Sequence, residues 1–295
     1  MLEEILIKLG LLFMRTLSHL PSPILRRLGA GLAWLLYRIA TPRRLITLTN
    51  LRLCFPEWDE AKRVRIAKEH FRAFTQTFLD RFIFWYGSEA RIRNICRIEG
   101  AEYLQAALGK PLVIFAPHFV GMDAGGVRVQ LETQVFGMYA RQRSATLTRV
   151  MTKGRQRFNQ TEMLLRTGGM RTALKRIKQK IPFYICPDMD LGLRDAVFVD
   201  FFGVPAATVT TLHRLSTITG AQILPCVTLL TASGYIVRFG PVWENFPSTD
   251  EVADTRKMNA FIEQAVLQQP EQYLWSHRRF KTRPPGVPSM YPNKR

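Results

Sequence analysis

The loop Ala116-Pro117-His118-Phe119-Val120-Gly121-Met122-Asp123 places an imidazole and a carboxylate five positions apart. A histidine so placed can take a proton from a hydroxyl nucleophile, while an acid on its other ring nitrogen stabilises the imidazolium that forms. Of the five histidines, His118 alone is followed by an acid at this spacing. No Ser or Cys stands beside the pair, so the attacking hydroxyl would belong to the substrate. Taken alone, the pair is equally well read as a capping histidine with a solvent-facing Asp in a first helical turn.

The elements that must position these residues alternate. The apolar run 111–116 has the pattern of a strand buried on both faces, and similar runs occur at 135–140, 182–186, 196–199, 223–228 and 235–239. Helical patterns fill 121–132, 145–158, 170–180, 207–219 and 251–269, and Phe71, Phe74, Phe78 and Phe82 mark a long helix ending at Tyr86. The expected fold is α/β, a mixed, largely parallel sheet flanked by helices. In such sheets ligands gather at the carboxyl ends of strands, which is where His118 falls.

Ahead of this body, residues 5–56 hold eight basic residues and no acid, spread through two apolar stretches too short or too interrupted to cross a bilayer. Lys8, Arg15, Ser18 and His19 share one helical face, and Leu6, Leu9, Leu12 and Phe13 lie off it. That is the pattern of a helix lying in a headgroup region, or of a core-packed amphipathic helix; the basic flanks favour the membrane surface. Residues 50–57 read as a turn ending this region. The expected division is a membrane-associating helical segment, 1–45, and a catalytic domain, 46–295. Glu3 and Glu4 argue against a secretory signal, so the bulk of the protein is expected in the cytoplasm.

The chain of 295 residues carries 42 Lys+Arg against 23 Asp+Glu, a formal charge of +19, and is 47% apolar. Disorder is excluded, and an anionic partner is implied: nucleic acid, phospholipid or an acidic substrate. Four cysteines, widely spaced and without histidines at ligand spacing, suggest reduced thiols rather than a metal site or disulfide framework.

Several further segments narrow the reading. Cys54-Phe55-Pro56-Glu57, the His118–Asp123 loop, Gly154-Arg155-Gln156-Arg157-Phe158, Pro187-Asp188-Met189-Asp190 and the closing stretch 270–284 together resemble the bacterial late acyltransferases of lipid A, the lauroyl and myristoyl transferases. These belong to a wider glycerolipid acyltransferase superfamily with a His-x4-acid motif. Many members of the narrower family have Glu where this chain has Asp123. The Phe-Pro-Glu-Gly-Thr motif of transferases acting on glycerol phosphate is absent from the sequence.

The resemblance implies a glycerolipid-acyltransferase-like fold and transfer of a fatty acyl group from acyl carrier protein to a hydroxyl on an acyl chain of a Kdo-bearing lipid A precursor, at the cytoplasmic face of the inner membrane. It places Arg155 in the active site with Asp188 as a further polar member. Chemistry assigns Arg155 to anion stabilisation, oriented by Asp188. No metal or other cofactor is implied. Residues 141–180 hold twelve Lys or Arg and one acid; from this block Arg141 and Arg157, and from the basic ending Arg278, Arg279 and Lys281, are the expected contacts to substrate phosphates. Phe201, Phe202 and Trp243 read as core or acyl-groove lining. Two other functions compete: a glycosyltransferase using Asp188 and Asp190 as an Asp-x-Asp metal site, and a non-enzymatic basic protein binding nucleic acid or a membrane surface. Without a nucleotide loop or a nucleic-acid-binding motif, neither is favoured, and nucleic acid is not expected as a partner.

Overall fold

The computed structural model describes residues 2–291, with side chains from Glu4 onward. Helices α1 (Leu2–Leu17), α2 (Ser22–Ile39) and α3 (Thr41–Cys54) precede the long α4 (Glu60–Tyr86), whose start is capped by Asp59 accepting from the amide of Lys62. Next come α5 (Glu89–Ile95), β1 (Cys96–Glu99), α6 (Ala101–Ala107), β2 (Leu112–Phe115), α7 (Met122–Val129), β3 (Phe136–Tyr139), α8 (Ala145–Arg155), β4 (Glu162–Leu165) and α9 (Met170–Lys178). The chain closes with β5 (Phe183–Ile185), β6 (Ala196–Phe201), β7 (Val204–Val209), α10 (Thr211–Thr219), β8 (Gln222–Thr231), β9 (Gly234–Phe239) and α11 (Glu251–Gln268).

Seven strands form one sheet in the order β1-β9-β8-β2-β5-β3-β4. Every neighbouring pair is parallel except β8 with β9. Strand β2 is buried throughout, and its alternation divides it between two cores. Val113 and Phe115 join the layer containing Phe136, Phe183 and Ile177, whereas Leu112 and Ile114 join the layer with Val127, Leu224 and Trp85. A strand covered on both faces has no polar side to show, which explains its continuous apolar run.

Some expectations require correction. Residues 196–199 are not in the sheet, because β6 pairs with β7 in a separate antiparallel hairpin. The first part of the expected helix 207–219 is strand β7, with its β-branched Val204, Thr208 and Val209. The expected turn at 50–57 starts later, since α3 continues through Asn50 to Cys54 before Phe55 ends it. Edge strands β1 and β4 are four residues each, β1 alternating apolar and charged residues and β4 following its Glu162 with only three apolar ones, and neither offered a recognisable run.

The four cysteines are free thiols, three of them buried. Among the described residues no helix is long and apolar enough to cross a membrane. Helices α1 and α2 nevertheless leave Leu6, Leu9, Leu12, Phe13, Leu28 and Trp34 exposed, so the off-stripe apolar residues of α1 are not core-packed.

Candidate active site

Strands β2 and β5 are parallel neighbours, so their carboxyl ends deliver His118 and Asp188 to the same place although 70 residues separate them. His118 Nδ1 lies 2.6 Å from Asp188 Oδ1, and the His118 backbone amide donates to both carboxylate oxygens at 3.1 and 3.2 Å. One carboxylate thus grips ring and backbone together and fixes the imidazole's direction. Asp188 is completely buried. Burial alone would raise its pKa, but the His118 charge and hydrogen bonds outweigh this and the pKa is lowered, keeping it anionic. With Nδ1–H donated to the carboxylate, Nε2 carries the free lone pair.

Asp123, in the first turn of α7, faces a different partner. Its Oδ1 accepts from Arg155 Nε at 2.9 Å and lies 2.7 Å from another guanidinium nitrogen, and Arg81 from α4 approaches Oδ2 at 2.8 Å. Burial raises the Asp123 pKa, yet the charges of Arg155 and Arg81 prevail and it is lowered; His118 stands in the connection from β2 to α7 and Asp123 at the start of α7, which brings the two pairs to one end of the sheet. Two cations around one carboxylate leave a net positive charge beside His118, suited to a developing oxyanion.

The four residues read as catalytic from sequence therefore come together, with their pairing exchanged: Asp188 holds His118, and Asp123 holds Arg155. Arg81 was missed. Its signal was present, since position 81 falls on the same helical face as Phe78, Phe82 and Trp85, and a cation there requires a buried acid.

Backbone packing supports the arrangement. Gly125 allows α7 to lie on β8, because a Cβ there would stand 1.9 Å from Thr228 Oγ1. Gly154 does the same for α8 against α4, where a Cβ would meet the Trp85 ring at 2.4 Å. A strap formed by residues 270–277 pairs with the His118 loop: Phe119 bridges Tyr273, the Val120 amide donates to Gln272 O, and the Leu274 amide donates to His118 O at 2.9 Å.

The expected phosphate contacts divide. Arg157 donates to the carbonyls of Phe84 and Gly87 at 2.6 and 2.7 Å, capping α4. Arg279 is buried, with its guanidinium on Ala207 O, Thr208 Oγ1 and Asn259 Oδ1. Arg279 is thus buried away from any phosphate, whereas Arg157 is partly buried and spends two guanidinium nitrogens on backbone carbonyls. Arg141 is exposed, Lys281 is exposed near Asp190, and Arg278 lies over the Tyr291 ring. Asp190 accepts from the Thr282 amide and hydroxyl and from Gly192, so it turns away from Asp188's partner and the two do not converge on one ion. Phe201 lies in the core, and Trp243 and Phe202 pack against it.

With this geometry established, comparison with known proteins is direct. The family model for bacterial lipid A biosynthesis acyltransferases matches residues 1–282. A lipid A biosynthesis acyltransferase of Haemophilus influenzae is 32% identical over 96% of this chain and 93% of its own length. The lipid A biosynthesis lauroyltransferase of Escherichia coli is 31% identical, covering 96% and 94%, and the myristoyltransferase of the same organism 27%, covering 92% and 84%. A solved 1-acyl-sn-glycerophosphate acyltransferase from Thermotoga maritima aligns with 84% of the chain and 96% of its own at 15% identity and a TM-score of 0.38. The class is that of O-acyltransferases. The chain belongs to the bacterial lipid A biosynthesis acyltransferase family.

Proposed function

We propose that the protein moves a fatty acyl group from an acyl carrier protein thioester to the hydroxyl of an acyl chain on a Kdo-lipid A precursor, forming an acyloxyacyl ester. The observation that carries this reading is His118, held through Nδ1 by buried Asp188, with Nε2 free beside the arginine-bound Asp123. Nε2 takes the hydroxyl proton as the oxygen attacks the thioester carbonyl. The tetrahedral oxyanion forms beside Arg155, whose guanidinium retains N–H groups beyond those given to Asp123. Collapse breaks the carbon–sulfur bond, and His118 returns the proton to the departing thiolate.

Both substrates are anionic. Arg141, Arg143 and Arg166, exposed past the carboxyl ends of β3 and β4, lie along the same sheet edge as His118 and are assigned to gathering them, with Arg278 and Lys281 nearer the strap. The exposed apolar faces of α1 and α2, flanked by Arg26, Arg27, Arg43 and Arg44, are assigned to the cytoplasmic surface of the inner membrane. The test is a mass-spectrometric assay with acyl-loaded carrier protein and a detergent-dispersed tetraacylated Kdo-lipid A precursor. Addition of one acyl mass by the wild type and its loss in His118→Ala are expected; no added mass from the wild type rejects the proposal.

A further inference from the structure

A cleft of about 350 Å³ opens between α2, α4 and the strap. Leu36, Phe71, Phe74 and Leu274 give it hydrocarbon walls, and His70 and His277 supply its polar side. His70 is 1% exposed. Its Nδ1 lies 3.0 Å from the backbone carbonyl of Glu271, an atom that only accepts, so Nδ1 carries the proton and Nε2 is left as an acceptor. That Nε2 is buried without a partner, and so is His277 Nε2. A buried acceptor in an apolar cleft is costly until a donor reaches it.

We infer that this cleft binds an aliphatic chain bearing a hydroxyl group, which donates to His70 Nε2. The mostly hydrocarbon walls favour an aliphatic chain over a sugar or nucleotide, and an unsubstituted chain would leave the imidazole unsatisfied. The cleft adjoins the reaction site, since Leu274, which lines it, donates its amide to the His118 carbonyl at 2.9 Å. Its other side meets α2, whose Leu32, Leu35 and Ile39 are exposed, so a chain can enter from lipid. The source of the chain, acyl donor or lipid acceptor, rests on the function proposed above; the binding chemistry does not. Arg43 stands at the rim, donating to Ser276 O and offering its remaining N–H groups to the ester or carboxylate end.

The full chain is titrated calorimetrically with 3-hydroxymyristate and with myristate. The wild type is expected to bind the hydroxylated probe about tenfold more tightly, the worth of one net hydrogen bond. His70→Leu should reduce that ratio to under about twofold. Leu36→Trp, which fills the cleft from α2 without touching His70, should weaken both probes. Equal wild-type affinities, a preference that survives His70→Leu, or undiminished binding in Leu36→Trp would each overturn the inference. Kinetic arms then identify the source: hydroxylated against plain acyl-carrier thioesters, and acceptors whose non-reacting chains carry or lack hydroxyls. The arm whose preference His70→Leu removes names the chain, and removal in neither counts against the inference. A wild type that binds selectively but transfers nothing would refute the acyl-transfer reading and leave the cleft assignment standing.

Discussion

Asp188→Asn separates the observed pairing from the one that spacing suggests. The substitution preserves shape, and its carbonyl oxygen can still accept from the His118 amide and ring, but it removes the charge that faces the imidazolium during proton transfer. With Nδ1 and Oδ1 at 2.6 Å, the charge centres lie roughly 4 Å apart, and an effective dielectric near 20 gives about 4 kcal/mol of attraction. Loss of a charge-assisted hydrogen bond, roughly 1.5–3 kcal/mol, sets the lower bound. A loss of about 3–4 kcal/mol in the transition state predicts a fall in kcat of roughly 10²–10³. Because Asp188 is buried behind His118, KM should hardly move. Steady-state rates with the carrier thioester and lipid precursor measure both constants, and a melting curve checks that the variant is folded. A kcat within about fivefold of wild type, or a loss confined to KM, would refute the argument. So would an Asp123→Asn variant that reproduced the kcat loss while Asp188→Asn did not.

Other consequences can be measured separately. Gly154→Ala forces a methyl group into the Trp85 ring, so the end of α8 must shift; a stability cost of about 1–3 kcal/mol and a kcat loss above tenfold through Arg155 are expected in denaturation and rate measurements. Arg279→Ala strips three acceptors of a buried donor and should cost roughly 3 kcal/mol in urea unfolding, with the KM for the lipid precursor unchanged. Burial lowers His70 and His277 from an ordinary 6.5 to about 4 each. Their stability is therefore complete above pH 6.5 and lost as pH falls toward 4, about 3 kcal/mol per histidine. Urea midpoints should fall across that window, and less steeply in His70→Leu. Replacing exposed Leu9 and Phe13 by Ser should weaken sedimentation with anionic phospholipid vesicles at least tenfold, since each side chain contributes about 1.5–3 kcal/mol when buried in lipid.

Legibility in the sequence followed the physics of each element. The helix α4 and strand β2 were readable because their apolar residues repeat with the period that their burial imposes. Edge strands β1 and β4 are partly exposed and only four residues long, too short for a period to show. The residues of the site were readable from type and motif, but their pairing was not. Five positions suggested that His118 and Asp123 touch, whereas sheet order puts Asp188, 70 positions away, on the imidazole. The surroundings of Arg157 and Arg279 were illegible for a related reason: charge composition counts guanidinium groups without saying which are engaged by backbone carbonyls inside the protein.

The strap and the residues after it have a consequence for the order in which the molecule is made. The Tyr291 hydroxyl donates to Asn50 Oδ1, and Asn50 in turn donates to the carbonyls of Trp275 and His277. At about 5–20 residues per second, a ribosome needs roughly 10–50 s to travel from Asn50 to Tyr291. Over that interval α3, and from residue 118 onward the His118 loop as well, is made before the segment that ties them. The loop that carries His118 is therefore finished late, and the first helices are complete well before the centre they precede is assembled.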